Sequence, residues 1–177
     1  MGITSLLEGD LPRELSLAPL ETARYGVGIA RLDISPDAAA VPGQILDAFE
    51  RSEARILVLR YPAQYADWFA QLVRPPLRVL HADTLVYYRQ DLERVDPRAA
   101  LPRGVITGGD ALTEREVGSL VRTVFAGYGN HYRANPELDA DRSIDGYVEW
   151  TVNHVGVDSK ALWVLAEHAG GDPIGFA

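Results

Sequence analysis

The chain has 177 residues, 47% of them hydrophobic, and this composition predicts one large folded domain or two small ones rather than a disordered chain. Its formal net charge of −8 argues against a nucleic-acid-binding surface, and the lack of a signal peptide or a long apolar run argues against a membrane partner. The chain has no cysteine, which excludes disulfides, thiolate metal sites and thiol nucleophiles and fits a cytoplasmic location.

The first half of the sequence predicts alternating strands and helices. In chain order, the predicted elements are a lead-in segment over 1–22, a strand over 25–34, a helix over 42–53, a buried strand over 54–61, a helix over 63–73, and one long strand or a hairpin over 78–92. This alternation is typical of an α/β layer. Residues 1–93 are therefore predicted to form an N-terminal α/β lobe, and the charged, proline-bearing stretch 94–103 a linker.

The second half, 104–177, predicts a different order of elements. Thr113 and Glu116 have the spacing of a capping box, and either Asp141 or Ser143 can cap a second helix. The predicted elements are a strand and turn over 104–112, a helix over 113–127 that buries Val117, Leu120, Val121 and Val124, a polar loop over 128–143, a helix over 144–155, and strands over 161–170 and 172–177.

Two glycines, Gly26 and Gly28, form a Gly-x-Gly pair before the first predicted strand. A phosphate-binding glycine loop follows a strand and opens a helix, whereas these glycines precede a strand. A bulge at the strand edge, or a close approach of two backbones, is therefore favoured over a phosphate site. The four histidines are scattered without metal-ligand spacing, and we expect no metal.

The loop between the two predicted helices concentrates rings and amides that can form hydrogen bonds. Its polar and aromatic members are Tyr128, Asn130, His131, Tyr132, Arg133 and Asn135. Loops of this composition often bind ligands. The alternative is structural: the tyrosines cover the helix ends, and Asn135-Pro136 forms a turn.

From Gly104 onward, the order strand, helix, loop, helix, strand, turn, strand resembles that of the GNAT-superfamily N-acetyltransferases. The motifs FxxYxxHYxxNPxL, from Phe125 to Leu138, and YxxW, at Tyr147 and Trp150, are similar to the TDP-fucosamine acetyltransferase branch. The resemblance implies an α/β (α+β) fold, with a GNAT-like mixed sheet and flanking helices in 104–177 after the smaller N-terminal lobe. It also implies acetyl-CoA as cosubstrate.

The family's phosphate-binding loop, Arg/Gln-x-x-Gly-x-Gly/Ala, is not found in this sequence. In the family it follows the hairpin that 163–177 resembles. We therefore expect this chain to be a partial form of a longer acetyltransferase, with residues that hold acetyl-CoA unknown and an open sheet edge at its last strand.

The resemblance further implies that the helix-loop-helix lines the acceptor side, where a small amine such as a nucleotide-linked amino sugar would bind. His131 is the candidate base, because it is the only side chain of the group with a pKa suited to that role. The candidate acceptor contacts are Tyr128, Tyr132, Asn135, Tyr147 and Glu149. Two alternatives remain: a non-catalytic binding or assembly module, which would form a homodimer through the open edge, and an acyltransferase fold adapted to other acyl chemistry.

Overall fold

The computed structural model describes residues 14–86, 91, 105–108, 112–155, 162–166 and 171–176, and of 105–108 the backbone alone. Helices and two small sheets make the chain α+β at the coarse level. None of the helices in these ranges is both long and apolar enough to cross a membrane.

The chain divides into two compact units. Unit 1 comprises Met1–Ala82 and Ala134–Asp139, and unit 2 comprises Asp83–Arg133 and Ala140–Ala177. The predicted linker 94–103 lies outside the described residues, so the predicted boundaries of the lobes stay a prediction.

Unit 1 contains a parallel strand-helix-strand unit. Strand β1 (Ile29–Asp33) pairs with β2 (Ile56–Arg60), with Ile29 opposite Ile56, and helix α2 (Pro42–Arg51) provides the crossover that a parallel pair requires. The predicted strands and helix are thus confirmed, with shorter bounds. Pro42 begins α2, where its missing N–H costs nothing. The buried residues of this core are Leu15, Ala30, Leu32, Ile34, Ala40, Ile45, Leu46, Ala48, Trp68 and Leu72.

The chain before β1 contains a short helix that ends inside the predicted strand, at Tyr25. Helix α1 (Pro19–Tyr25) ends at Gly26, whose φ of 69° is the left-handed conformation that glycine adopts without steric cost. The strand predicted over 25–34 therefore begins only at Ile29.

The helix predicted over 63–73 is broken into a 3₁₀ turn, Ala63–Tyr65, and helix α3 (Trp68–Leu72). The break lets the Tyr65 ring stack on Trp68, with centroids 4.6 Å apart, while the Tyr65 hydroxyl donates to the Pro36 carbonyl at 2.6 Å. These tertiary contacts favour the broken helix over the continuous helix that the spacing of the apolar residues predicted.

The strand or hairpin predicted over 78–92 is wrong for 78–86, which form no regular element. Leu80, Leu85 and Val86 are exposed in this segment. The segment forms no strand because a β-prone sequence becomes a strand only where another strand pairs with it. Residues 87–90 and 92 lie outside the described part of the chain.

Unit 2 contains an antiparallel sheet in the order β3-β4-β5. Its strands are β3 (Val105–Gly108), β4 (Trp163–Ala166) and β5 (Pro173–Phe176). The pairing of β4 with β5 is irregular between Leu165 and Ala166. The predicted strands are confirmed with shorter bounds.

Helix α4 (Glu114–Phe125) begins with the predicted capping box. The Thr113 hydroxyl accepts from the Glu116 N–H at 3.3 Å, and the Glu116 carboxylate accepts from the Thr113 N–H at 2.8 Å. Three of the four predicted core valines and leucines are buried, but Val124 is 47% exposed, so that prediction is wrong. The residues buried as predicted are Val117, Leu120 and Val121.

Helix α6 (Ala140–Val152) begins four residues earlier than predicted, and the short helix α5 (His131–Ala134) occupies part of the predicted loop. Asp141 and Ser143 therefore lie inside α6, and the prediction that either caps it is wrong. Asp141 instead lies in the first turn, where the helix dipole favours a negative charge, and the Ser143 hydroxyl donates to the Ala140 carbonyl at 2.6 Å. Helices α4 and α6 pack closely at Gly118, where a Cβ atom would lie 3.4 Å from Val148.

Candidate functional site

Four aromatic rings of unit 2 meet where α4 ends. Phe125, the last residue of α4, stacks on Tyr147 of α6 with centroids 4.4 Å apart, and Phe176 of β5 lies 6.0 Å from Phe125. Tyr128 meets Phe125 edge-on at 5.1 Å and Tyr147 edge-on at 6.0 Å. We call these four residues the aromatic cluster. Three of its rings are partly buried, whereas Tyr128 is 46% exposed.

The turn after the cluster is fixed by a buried amide. The Asn130 side-chain oxygen accepts from the backbone N–H of Tyr132 at 2.9 Å and from that of Arg133 at 3.0 Å, which caps α5. Tyr132 is almost fully buried. Sequence reasoning included Asn130 in the loop but did not choose it as a site residue, because the short helix that it caps was itself predicted to be part of the loop.

His131 is held on two sides. Its ring lies against that of Tyr132, with centroids 4.1 Å apart, and its Nδ1 atom is 3.2 Å from an oxygen of Asp83. The His131 side chain is only 8% exposed, and Nε2 is buried. A ligand therefore reaches Nε2 only if the groups that cover the ring move.

Asp83 was not found by sequence reasoning. It is 48 residues from His131 in the sequence, inside a stretch that predicted a strand, and no spacing pattern relates the two. Only the folded chain brings this carboxylate to the imidazole.

The structure brings the predicted site residues together in pairs rather than in one group. Tyr128 contacts Tyr147, and His131 contacts Tyr132. Glu149 lies on an exposed part of α6.

Asn135 belongs to the segment of the chain that clusters with unit 1. Its side-chain oxygen accepts from the Glu137 N–H at 3.0 Å, and its carbonyl accepts from the Leu138 N–H at 3.1 Å. These bonds make Asn135-Pro136 a turn, in agreement with the structural alternative for this pair.

The Gly26–Gly28 pair does not fit a phosphate. The Gly26 N–H donates to the Thr22 carbonyl, and a Cβ atom on Gly28 would lie 2.8 Å from the Glu53 carbonyl oxygen. A carbonyl oxygen repels an anion at that position. Gly28 is thus a close approach of two backbones, as the sequence favoured, and we assign no described residue to the pyrophosphate of acetyl-CoA.

Within the described ranges, no group of three or more His, Asp or Glu side chains is arranged to hold a metal ion. Comparison with known proteins gives no assignment: no family model, no curated protein and no solved structure matches the chain.

Proposed function

We propose that this chain is an N-acetyltransferase of the GNAT type, in which unit 2 supplies the acceptor side. The enzyme would transfer an acetyl group from acetyl-CoA to the amine of a small molecule. The supporting observation is the element order of unit 2, which runs β3, α4, α5, α6, β4, β5 with an antiparallel β4–β5 pair. This is the order on which the sequence resemblance to that superfamily rests.

The aromatic cluster is the proposed acceptor surface. An exposed ring that is supported by a stacked pair of rings offers a rigid apolar face, on which the ring of an amino sugar, free or nucleotide-linked, can pack. Tyr128 has the exposed ring, and Phe125 and Tyr147 form the supporting pair. The Tyr128 hydroxyl adds a donor and acceptor to this face.

The proposed chemistry is direct attack by a neutral amine on the thioester carbonyl. A C–N bond forms, the C–S bond breaks, and coenzyme A leaves as a thiolate that takes up a proton. The attacking nitrogen must lose a proton, and His131 is the proposed acceptor of that proton, acting through water or after the groups that cover its ring have moved.

We also propose that the protein is located in the cytoplasm, because a chain without cysteine fits a reducing compartment.

The test is acetyl transfer to a panel of amines and amino sugars, measured as released coenzyme A thiol with a thiol reagent. The chain contains no cysteine, so the protein itself contributes no signal. His131→Ala is expected to lower turnover at saturating acetyl-CoA by about 100-fold, the lower end of what a general base supplies. His81→Ala, at an exposed histidine of unit 1, is the matched control.

The proposal that this chain itself transfers acetyl groups fails if the folded chain neither binds acetyl-CoA in a calorimetric titration nor releases thiol with any amine. That result would assign the chain to the acceptor-side part of a longer acetyltransferase or to a module without the chemistry. Full turnover in His131→Ala between pH 6 and pH 9 would remove His131 from the mechanism while leaving the activity itself intact.

A second candidate is a non-catalytic binding or assembly module. Trp163 on β4 is 43% exposed and Ile174 on β5 is 51% exposed, and β5 is the end strand of the described sheet. An exposed edge with apolar side chains favours pairing with another chain. This candidate predicts a homodimer at micromolar concentration that Ile174→Lys dissociates in sedimentation velocity, together with no binding of acetyl-CoA.

A further inference from the structure

Asp83 and His131 form a side-chain contact at the candidate site, in which a carboxylate and an imidazole join two segments that are 48 residues apart. The Asp83 side chain is 30% exposed, while the histidine ring is mostly buried against Tyr132. The backbone beneath the ring is fixed by the Asn130 cap of α5. The position of the His131 ring is therefore fixed, and the remaining variable is which of its two nitrogens carries the proton.

The Asp83 carboxylate determines which nitrogen is protonated. An ionised carboxylate has no proton to donate, so a hydrogen bond between Asp83 and Nδ1 requires a proton on Nδ1. In the neutral ring the lone pair then lies on Nε2. We propose that Asp83 is a positioning residue that holds His131 in the Nδ1–H tautomer and makes Nε2 its basic nitrogen.

The consequence for catalysis rests on the proposed acetyl transfer. If His131 takes the proton of the attacking amine, it takes it at Nε2, and the resulting imidazolium keeps its Nδ1–H bond to a negative charge. Asp83 then stabilises the charge that develops on the ring and prevents the tautomer whose lone pair points at the carboxylate. Asp83 does not itself contact the amine in this role.

The tautomer is measured directly by long-range ¹H–¹⁵N NMR of the imidazoles in uniformly labelled protein, with His131 assigned by loss of its signals in His131→Gln. The wild-type neutral ring should carry its proton on Nδ1. Asp83→Asn and Asp83→Ala should both lower the Nδ1–H fraction. Asp172→Asn, at an exposed carboxylate directly before β5, is the matched control and should leave the fraction unchanged.

A wild-type proton on Nε2, or an Nδ1–H fraction that neither Asp83 variant changes, overturns the inference. Circular dichroism checks that each variant folds, and Asp83→Asn, which keeps the shape of the side chain, decides the outcome if Asp83→Ala does not fold. No substrate is needed, so the result stands even if the acetylation proposal fails.

The kinetic arm tests the role in catalysis separately. In an active enzyme, Asp83→Asn should lower kcat about 10-fold, part of the 100-fold or more that the base supplies, without changing the KM for acetyl-CoA. Asp83→Glu should recover part of the loss. Unchanged kcat in both Asp83→Asn and Asp83→Ala would overturn the positioning role, whereas a wild type that transfers no acetyl group would overturn the proposed function alone.

Discussion

Gly28 offers the sharpest test of how unit 1 is built. It directly precedes β1, and its carbonyl accepts from the N–H groups of Arg55 and Ile56 at 2.8 and 3.1 Å, where β2 begins. A Cβ atom there would lie 2.8 Å from the Glu53 carbonyl oxygen and 3.4 Å from the Ala54 Cα. Both neighbours are backbone atoms, so Gly28→Ala cannot be absorbed by turning a side chain. We expect it to lower the free energy of unfolding by about 1–3 kcal/mol, the usual cost of overpacking.

The matched control is Gly43→Ala, because a Cβ atom on Gly43 would meet nothing within 4 Å. Gly43 is the second residue of α2, where alanine is favoured over glycine by up to about 1 kcal/mol, so this variant should be neutral or stabilised. Urea unfolding is followed through the fluorescence of Trp68, which is 7% exposed in the unit 1 core, with Trp150 and Trp163 replaced by Phe. A Gly28→Ala protein as stable as the wild type would refute the close approach of the two backbones.

Two further predictions concern α4. Hydrogen bonds from the Thr113 hydroxyl and backbone N–H hold the pKa of the Glu116 carboxyl below its ordinary 4.5. The stabilisation that the ionised carboxyl contributes is therefore complete above that pH and is lost as the pH falls through the lowered pKa. Thr113→Ala removes the hydroxyl and keeps the backbone N–H, so it should cost about 0.5–2 kcal/mol at neutral pH and should reduce this pH dependence without abolishing it, in urea unfolding followed by far-UV circular dichroism. Val121→Ala removes two fully buried methyl groups and should cost about 1.5–3 kcal/mol in urea unfolding followed by far-UV circular dichroism, because Trp68 reports on unit 1 alone. Val124→Ala, one turn further on and largely exposed, should stay within about 0.5 kcal/mol, and an equal loss in both variants would refute the buried face assigned to α4.

The elements predicted well from sequence are those whose causes are local. The capping box needs only Thr113 and Glu116 at a spacing of three, and both halves of it form. The β1-α2-β2 unit follows from three successive local patterns within about thirty residues: an alternating segment, apolar residues at helical spacing, and a short continuous apolar run. In each case the residues that decide the structure are neighbours in the chain.

The predictions that are wrong depend on distant residues or on several equal local choices. The β-prone residues 78–86 satisfy every local rule for a strand, but strand formation also requires a partner edge, about which the segment itself carries no information. The start of α6 was misplaced because Asp139, Asp141 and Ser143 are all residue types that cap helices, so the segment offers several possible starts, and the helix begins directly after the first of them. The Asp83–His131 contact was missed for the first reason, since a separation of 48 residues leaves no spacing signal.

The candidate site also combines features that have local causes with features that depend on distant residues. Its loop residues could be predicted because they are concentrated in one stretch of the sequence. The contacts that define their surroundings, however, are made by residues from distant parts of the chain. Phe176 of β5 helps to close the aromatic cluster, and Asp83 selects the basic nitrogen of His131. Phe125 links the cluster to the unit 2 core, because it packs both on Tyr147 and against the buried residues of that core. Truncating Phe125 would therefore change stability together with any binding at the cluster, whereas Tyr128, which is 46% exposed and lies T-shaped to Phe125 and Tyr147, can be altered with little effect on the core. Substitutions at Tyr128 can therefore test the proposed acceptor surface with little change to the fold of unit 2, whereas substitutions at Phe125 change both.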